Sequence, residues 1–370
     1  MIVIADLHLG KTNDSFIIDD IPSQTWDIRK RLETVLARAR ITGQCIVVAG
    51  DIFNRVNPTT QAIAELFKWL TACRTAEVPV YLIAGNHDAG ADWTNAQMFY
   101  DANLPNVTVI TEMTEIGVQD TLEIGGFQRV VVFWSHLPTA LREQAEQGHG
   151  SVSRYAAARF PDAKFIITHG AIAEGYKNEI FFEAGEAMVI DPEEFPKLQL
   201  MVLGHIHDHK YVGPNWVHPG SLTINNFGEV DEQKGWVEVD LKTLKYEWYE
   251  FPDDVTPWVH VELDLTEKDE TSLDEKMIET VASGAVIKIT VLAKAHGVIN
   301  EAYIRQLFNE YGHVSRFETI VPESGAEVDA TKRLSHQELL AEFLEGTDAK
   351  KADKENALKM GERIIEEVLE

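Results

Sequence analysis

Short apolar runs and helical stripes alternate along the first two-thirds of the chain, and the apolar runs share one kind of ending. Ile2-Val3-Ile4 gives way to Asp6-Leu7-His8, and Ile46-Val47-Val48 to Gly50-Asp51. Val80-Tyr81-Leu82-Ile83 leads into Gly85-Asn86-His87-Asp88, Phe165-Ile166-Ile167 into His169-Gly170, and Met201-Val202-Leu203 into Gly204-His205-Ile206-His207. Runs of this length, bounded by Gly and polar residues, predict buried strands. Between them, Trp26 to Arg40 carries Ile28, Leu32, Val35 and Leu36 on one face, and Ala62 to Cys73 carries Ile63, Leu66, Phe67 and Leu70. Each stripe has helical spacing and precedes a buried strand, as in repeated βαβ units. Sites in open α/β sheets form beyond the strands' carboxyl ends, so polar groups spread over roughly two hundred residues are predicted to meet in one cleft.

After Asn106 the pieces shorten. Strands are predicted at Val107 to Ile110, Arg129 to Trp134, Lys210 to Val212, Gly235 to Asp240 and Lys245 to Phe251, building a second sheet packed on the first with helices outside. The turn-rich run Phe251-Pro252-Asp253-Asp254-Val255-Thr256-Pro257, twice interrupted by proline, closes a first domain over 1–252. A second domain over 256–322 reads strand (Trp258 to Leu265), helix (Ser272 to Val281), strand (Val286 to Val291), helix (Asn300 to Tyr311), strand (Val314 to Val321). Past Pro322-Glu323-Ser324-Gly325, residues 330–370 predict two amphipathic helices. Ser335 and Glu338 have capping-box spacing ahead of Leu339, Leu340, Phe343 and Leu344, and a second stripe runs through Leu358, Ile364, Ile365 and Val368. Such helices have little core of their own, so they either fold back on the chain or dock on a partner.

With 370 residues, 45% apolar and 25% charged, the composition is that of a soluble globular chain of two or three domains. No apolar stretch approaches the roughly 18 residues of a membrane span, and Asp6 and His8 interrupt the N-terminal run too early for a signal peptide. Cys45 and Cys73 are too few for a disulfide scaffold and predict buried free thiols in a cytoplasmic protein. Sixty acidic residues against 33 basic give a formal charge of −27. That balance argues against tight nucleic-acid binding by this chain alone, so a DNA substrate would need a partner or a local basic patch.

Taken singly, the strand-end motifs are weak. An Asp or His after a strand usually satisfies its own loop, and Gly50-Asp51 is a common turn. Gly85-Asn86-His87-Asp88 is more specific, because few folds need three polar side chains directly after a buried strand. Asp6 and His8, like His205 and His207, are two apart and lie on one side of an extended chain. Together the set describes a two-metal centre for phosphoester hydrolysis. A pair of cations about 3.5–4 Å apart clamps the anionic phosphate, lowers the pKa of a bound water and stabilises the leaving oxygen. Mixed His, Asp and Asn ligation suits Mn, Fe or Zn rather than Ca, and the lack of thiolate makes a closed structural zinc site a poor fit.

The motif order Asp-x-His, Gly-Asp, Gly-Asn-His-Asp, His-Gly, Gly-His-x-His resembles the calcineurin-like metallophosphoesterases. Within them the chain is most similar to the SbcD family, whose archaeal and eukaryotic counterparts are the Mre-eleven nucleases of double-strand-break repair. Asp6-Leu7-His8-Leu9-Gly10, Gly50-Asp51-Ile52-Phe53, Pro219-Gly220-Ser221-Leu222, Phe227-Gly228-Glu229 and Lys234-Gly235 carry the closer likeness. The resemblance implies an α/β fold, a two-sheet αββα metallophosphoesterase sandwich with a small βαβαβ capping domain and a helical ATPase-binding tail. It implies one metal on Asp6, His8, Asp51 and His207, and a second on Asp51, Asn86, His169 and His205, with Asp51 bridging. His87 would stabilise the transition state or protonate the leaving oxygen, and Asp88 would orient the loop or His87, with Asp88 and Asn54 as possible substrate contacts. Asn54 stands where the family often has His or Asp, and an amide cannot shuttle a proton. The implied function is a manganese-dependent exo/endonuclease subunit, homodimeric, paired with an SMC-like ATPase of the SbcC type. The alternative is a phosphodiesterase for nucleotides or another small phosphoester, against which the extension beyond the catalytic region weighs. Of the other histidines, His136 is expected to be structural, while His209 and His218 lie near the site.

Overall fold

Apolar side chains two residues apart point to the same face of a strand, and in the first sheet both faces are buried. In the computed structural model, residues 1–321 are described apart from 13, 91–93, 96, 103, 119–128, 173–187, 211, 253, 268–272, 274–280, 282 and 295–298. The helix expected from Ser272 to Val281 falls almost wholly outside the described residues, and the 330–370 segment entirely so.

Strand β1 (Ile2–Ile4) is followed by a small hairpin, β2 (Ile17–Ile18) and β3 (Ile21–Pro22), and then by helix α1 (Ser23–Thr42). Next come β4 (Ile46–Ala49), α2 (Thr60–Thr75), β5 (Val80–Ile83), α3 (Gln97–Ala102) and β6 (Val107–Ile110). Gly43 ends α1 at φ 65°, and the Thr59 side chain caps α2 by accepting from the Ala62 amide. A second group of elements comprises β7 (Met113–Val118), β8 (Arg129–Trp134), α4 (Thr139–His149), α5 (Val152–Arg159), β9 (Phe165–His169), the pair β10 (Ala171–Ile172) and β11 (Val189–Ile190), β12 (Leu200–Gly204) and β13 (Trp216–Val217). The chain then returns through β14 (Gly235–Val239) and β15 (Tyr246–Glu250) before β16 (Trp258–Leu265), β17 (Ala285–Ala293), α6 (Glu301–Asn309) and β18 (Gly312–Ile320).

Two sheets pack face to face, in the orders β15-β14-β1-β4-β5-β6 and β13-β12-β9-β8-β7. Ile2, Ile4, Ile46, Val48, Val80 and Leu82 pack outward against Ile28, Leu32, Leu66 and Leu70 of α1 and α2. Their neighbours Val3, Val47, Ala49 and Ile83 face Phe133, Phe165, Ile167 and Val202 of the second sheet. Ile166, Met201 and Leu203 in turn pack on Ala145, Val152 and Ala156 of α4 and α5. The result is the expected αββα sandwich. Period-two alternation assigns faces but not sheets, and three expectations are corrected accordingly. β6, β14 and β15 belong to the first sheet, with β6 parallel to β5 and β14 antiparallel to β1 (Ile2 opposite Glu238). Of the strand expected from Lys210 to Val212, residue 211 lies outside the described residues and Lys210 stands in a turn. Val212 makes a single bridge to Val217 across Gly213 and Pro214, a proline that has no amide to give a ladder.

β16, β17 and β18 form a separate three-stranded parallel sheet with its own core of Leu263, Ile287, Ile289, Val291, Ile304 and Phe308. Side-chain contacts tie it to the sandwich. Arg316 of β18 donates to both carboxylate oxygens of buried Asp14 at 2.8 and 2.7 Å, and Trp258 of β16 packs on Phe227. The segment leading into it is anchored on α1: Asp27 accepts from the backbone amide and hydroxyl of Thr256 at 2.9 and 2.8 Å. Burial pushes the Asp27 carboxyl up to about 6, against the pull of the two Thr256 hydrogen bonds and Arg31. A carboxyl held above its ordinary 3.8 in the fold stabilises that fold when protonated, a contribution full below pH 4 and lost as pH rises through 6. Asp27→Asn keeps the acceptor oxygen without the charge. It is expected to abolish this fall in stability between pH 4 and 6 and to raise stability at pH 7 by up to about 3 kcal/mol. Urea melts at several pH values check this; an unchanged pH slope would show that Asp27 ionises without cost.

Candidate metal centre

The loops after β1 and β4 run side by side, with the Asp6 and His8 amides donating to the carbonyls of Gly50 and Asp51 at 3.1 and 3.0 Å. To point their side chains into one cleft, Asp6, His8, Asp51 and His205 take φ values of 53°, 47°, 49° and 95°. Non-glycine residues rarely occupy this region, and such strain persists only where the surroundings enforce it. Close approach requires glycine at Gly85 and Gly204, among others. A Cβ on Gly85 would lie 2.1 Å from Asp51 Oδ1, and one on Gly204 would lie 2.0 Å from the Ala49 carbonyl oxygen and 2.6 Å from His169 Nδ1.

All seven candidate ligands converge. Asp51 Oδ1 lies 3.3 Å from His169 Nε2, while Oδ2 lies 3.7 Å from His8 Nε2 and 3.9 Å from His87 Nε2. Asn86 Oδ1 lies 3.0 Å from His169 Nε2 and 3.1 Å from His205 Nδ1. His207 Nε2 is 3.1 Å from His8 Nε2 and 4.0 Å from Asp6 Oδ1. Asp6, His8 and His207 form one cluster able to hold a metal ion, and Asp6, Asp51 and His169 another.

The donor chemistry fits cations. His169 Nδ1 donates to the Ala49 carbonyl at 2.8 Å, and His207 Nδ1 donates to Glu229 Oε1 at 2.8 Å. In the neutral ring each proton is therefore placed on the far nitrogen, and Nε2, turned into the cleft, is the atom that can bind a cation. His8 Nε2 faces His207 Nε2 at 3.1 Å and His169 Nε2 faces Asn86 Oδ1 at 3.0 Å, beside two buried carboxylates. Without a metal this costs the fold. Burial opposes a charge on His169, yet Asp51 carries its pKa up to about 9, so the imidazolium serves as counter-ion. Burial also raises Asp6 to about 6, and burial together with His169 drives His205 down to about 3. Buried ions carry desolvation penalties of several kcal/mol each even when paired, and a divalent cation held between the carboxylates would offset them.

His87 sits at the rim, its side chain 38% exposed where that of His169 is 0%. Its Nδ1 donates to the Asn54 carbonyl at 3.0 Å, which presents Nε2 to the cleft. Asn54 itself is partly buried. Asp88 is fully buried and accepts from the Ile52, Phe53 and Gly85 amides, each at 2.9 Å, so it ties two ligand loops together. His136 and His218 are buried, each pushed down to about 3 chiefly by that burial, and His209 stacks on Trp248 at 3.7 Å. Periodicity and spacing assign Glu229 no role. Its buried carboxylate is fixed by Lys234 Nζ at 2.8 Å, the Asn225 amide at 3.0 Å and the Asn226 side chain at 2.8 Å. The usable signal was chemical: a metal-facing histidine needs an acceptor for its other ring nitrogen.

Residues 1–209 match the model of the calcineurin-like phosphoesterase family. Among curated proteins, the DNA double-strand break repair protein Mre11 of Methanopyrus kandleri is 22% identical over 327 residues, covering 80% of this chain and 65% of that protein. The SbcD component of the SbcCD nuclease of Bacillus subtilis is 26% identical over 321 residues, covering 73% of this chain and 80% of the relative. The metallophosphoesterase YhaO of the same bacterium is 27% identical over 252 residues, covering 64% and 55% respectively. The chain thus spans just under two thirds of the Methanopyrus protein's length and just over half of YhaO's.

Proposed function

We propose, from the premise that this chain belongs to the calcineurin-like phosphoesterase family, that it is a DNA nuclease hydrolysing phosphodiester bonds at or near DNA ends. The observation that carries the reading is the placement of Asp51, with one carboxylate oxygen facing His169 and the other facing His8. In this reading Asp6, His8, Asp51 and His207 hold one divalent ion, and Asp51, Asn86, His169 and His205 hold the other, manganese being the favoured metal. The bound pair supplies a clamp on the phosphate oxygens and a water of lowered pKa. His87, its Nδ1 proton on the Asn54 carbonyl, presents Nε2 to the incoming phosphate and, when protonated, donates to the leaving oxygen. Asp88 keeps the loops bearing Asp51 and Asn86 in register. Asn54 offers an amide and no ionisable group, so no proton transfer runs through it.

DNA as substrate is supported by the names of two relatives, the Methanopyrus DNA double-strand break repair protein and the Bacillus nuclease component. The formal charge of −27 then assigns much of the DNA-binding surface to a partner. That partner is an SMC-like ATPase of the SbcC type, docked on the 330–370 segment. Residues 1–252 form the nuclease domain and 256–322 the cap, and the working assembly contains two copies. No described helix is long and apolar enough to cross a membrane, and a cytoplasmic site of action agrees with the reading.

The test compares linear duplex DNA with a chromogenic phosphodiester across a manganese titration. Metal-dependent cleavage of the duplex is expected. Turnover of the chromogenic ester and of nucleotides with the duplex left intact would move the assignment to a small-phosphoester hydrolase.

A further inference from the structure

The turn from Asn226 to Glu229 is gripped at both ends by parts of the molecule distant in sequence. At one end the Phe227 ring packs on Trp258, the first residue of β16, with centroids 4.9 Å apart, and the guanidinium of Arg316 from β18 lies 5.6 Å from the same ring. Arg316 is itself fixed by the two-point ion pair to Asp14. At the other end Glu229 accepts the Nδ1 proton of His207 at 2.8 Å. One residue, Gly228, separates these two side chains. Asn226 closes the turn between them, its Oδ1 accepting from the Gly228 amide and its Nδ2 donating to Glu229 Oε1, both at 2.8 Å. Lys234 and the Asn225 amide occupy the remaining oxygen of Glu229. A single 3-10 turn with its buried carboxylate so fully engaged has no slack, so a displacement of Phe227 is passed to Glu229.

We propose that Phe227 and Arg316 are positioning residues for the metal centre. The seating of the three-stranded sheet on this turn sets Glu229, Glu229 sets the ring orientation and tautomer of His207, and His207 sets the affinity of the ion it shares with Asp6 and His8. The proposal rests on the reading of His207 as a metal ligand. By linkage the coupling is reciprocal: filling that site favours the seated sheet, and lifting the sheet weakens that site.

Manganese titration of the full chain by calorimetry, with electron paramagnetic resonance of the free ion, reads each site's affinity without any substrate. Glu229→Gln should weaken one of the two binding events by about 10- to 100-fold. Phe227→Ala and Arg316→Ala should weaken that same event by about two- to tenfold and leave the other unchanged. Phe227→Tyr, which keeps the ring, should bind as the unsubstituted chain does. If Phe227→Ala fails to fold, Arg316→Ala and the conservative Arg316→Lys carry the comparison. Affinities unchanged in Phe227→Ala and Arg316→Ala, with Glu229→Gln impaired, would overturn the coupling alone. No manganese bound by the unsubstituted chain, or no effect of Glu229→Gln on either event, would instead overturn the assignment of His207 and the coupling with it.

Discussion

Replacing His87 by alanine is expected to slow phosphodiester hydrolysis by about 10²–10⁴-fold, the usual worth of a positioned proton donor, while both metals stay bound. The side chain is the most open of the imidazoles around Asp51, and it is oriented from behind by the Asn54 carbonyl rather than by a carboxylate. That is the arrangement for meeting a substrate oxygen. Its Nε2 stands 3.9 Å from Asp51 Oδ2, close enough that a metal role must be tested directly. Elemental analysis of the variant separates the two: lost turnover with full metal content supports the donor, whereas lost metal makes His87 a ligand. A variant as active as the parent would remove His87 from the chemistry.

Asp51→Asn should have the larger effect on the protein itself. The substitution preserves shape and the hydrogen bond from the His87 amide, 2.9 Å in the present structure, but removes the charge that both halves of the cluster share. For a site filled at a hundred times its dissociation constant, binding stabilises the fold by about 2.7 kcal/mol. The parent should therefore melt well above its metal-free form in excess manganese, and Asp51→Asn should show no such rise. A variant that still gains stability from manganese and retains two ions per chain would mean that no single carboxylate is shared.

The strand ends were legible because each cluster ligand sits immediately behind an apolar run, and an apolar run is the strongest signal a sequence carries. Helices α1 and α2 were legible for the same reason, though each proves a few residues longer than its stripe, from Ser23 to Thr42 and from Thr60 to Thr75. The sheet to which β6, β14 and β15 belong was not, since a period of two reports which side of a strand is buried and nothing about its neighbours. Glu229 escaped for a different reason. A carboxylate whose work is to accept a ring proton from 22 residues away leaves no periodicity. The left-handed backbone of Asp6, His8, Asp51 and His205 was equally hidden, because nothing in a non-glycine residue announces positive φ.

The place of β1 within its sheet has a temporal consequence. Its parallel neighbour β4 follows soon after it, but its antiparallel neighbour begins at Gly235, beyond His205 and His207. At about 5–20 residues per second, a ribosome keeps the first strand waiting ten seconds or more with one edge open. In the proposed reading, the metal centre then cannot be completed before His207 has been made. Until the antiparallel neighbour is made, the nascent polypeptide carries an unpaired hydrophobic border of the kind that chaperones shield and that aggregation exploits.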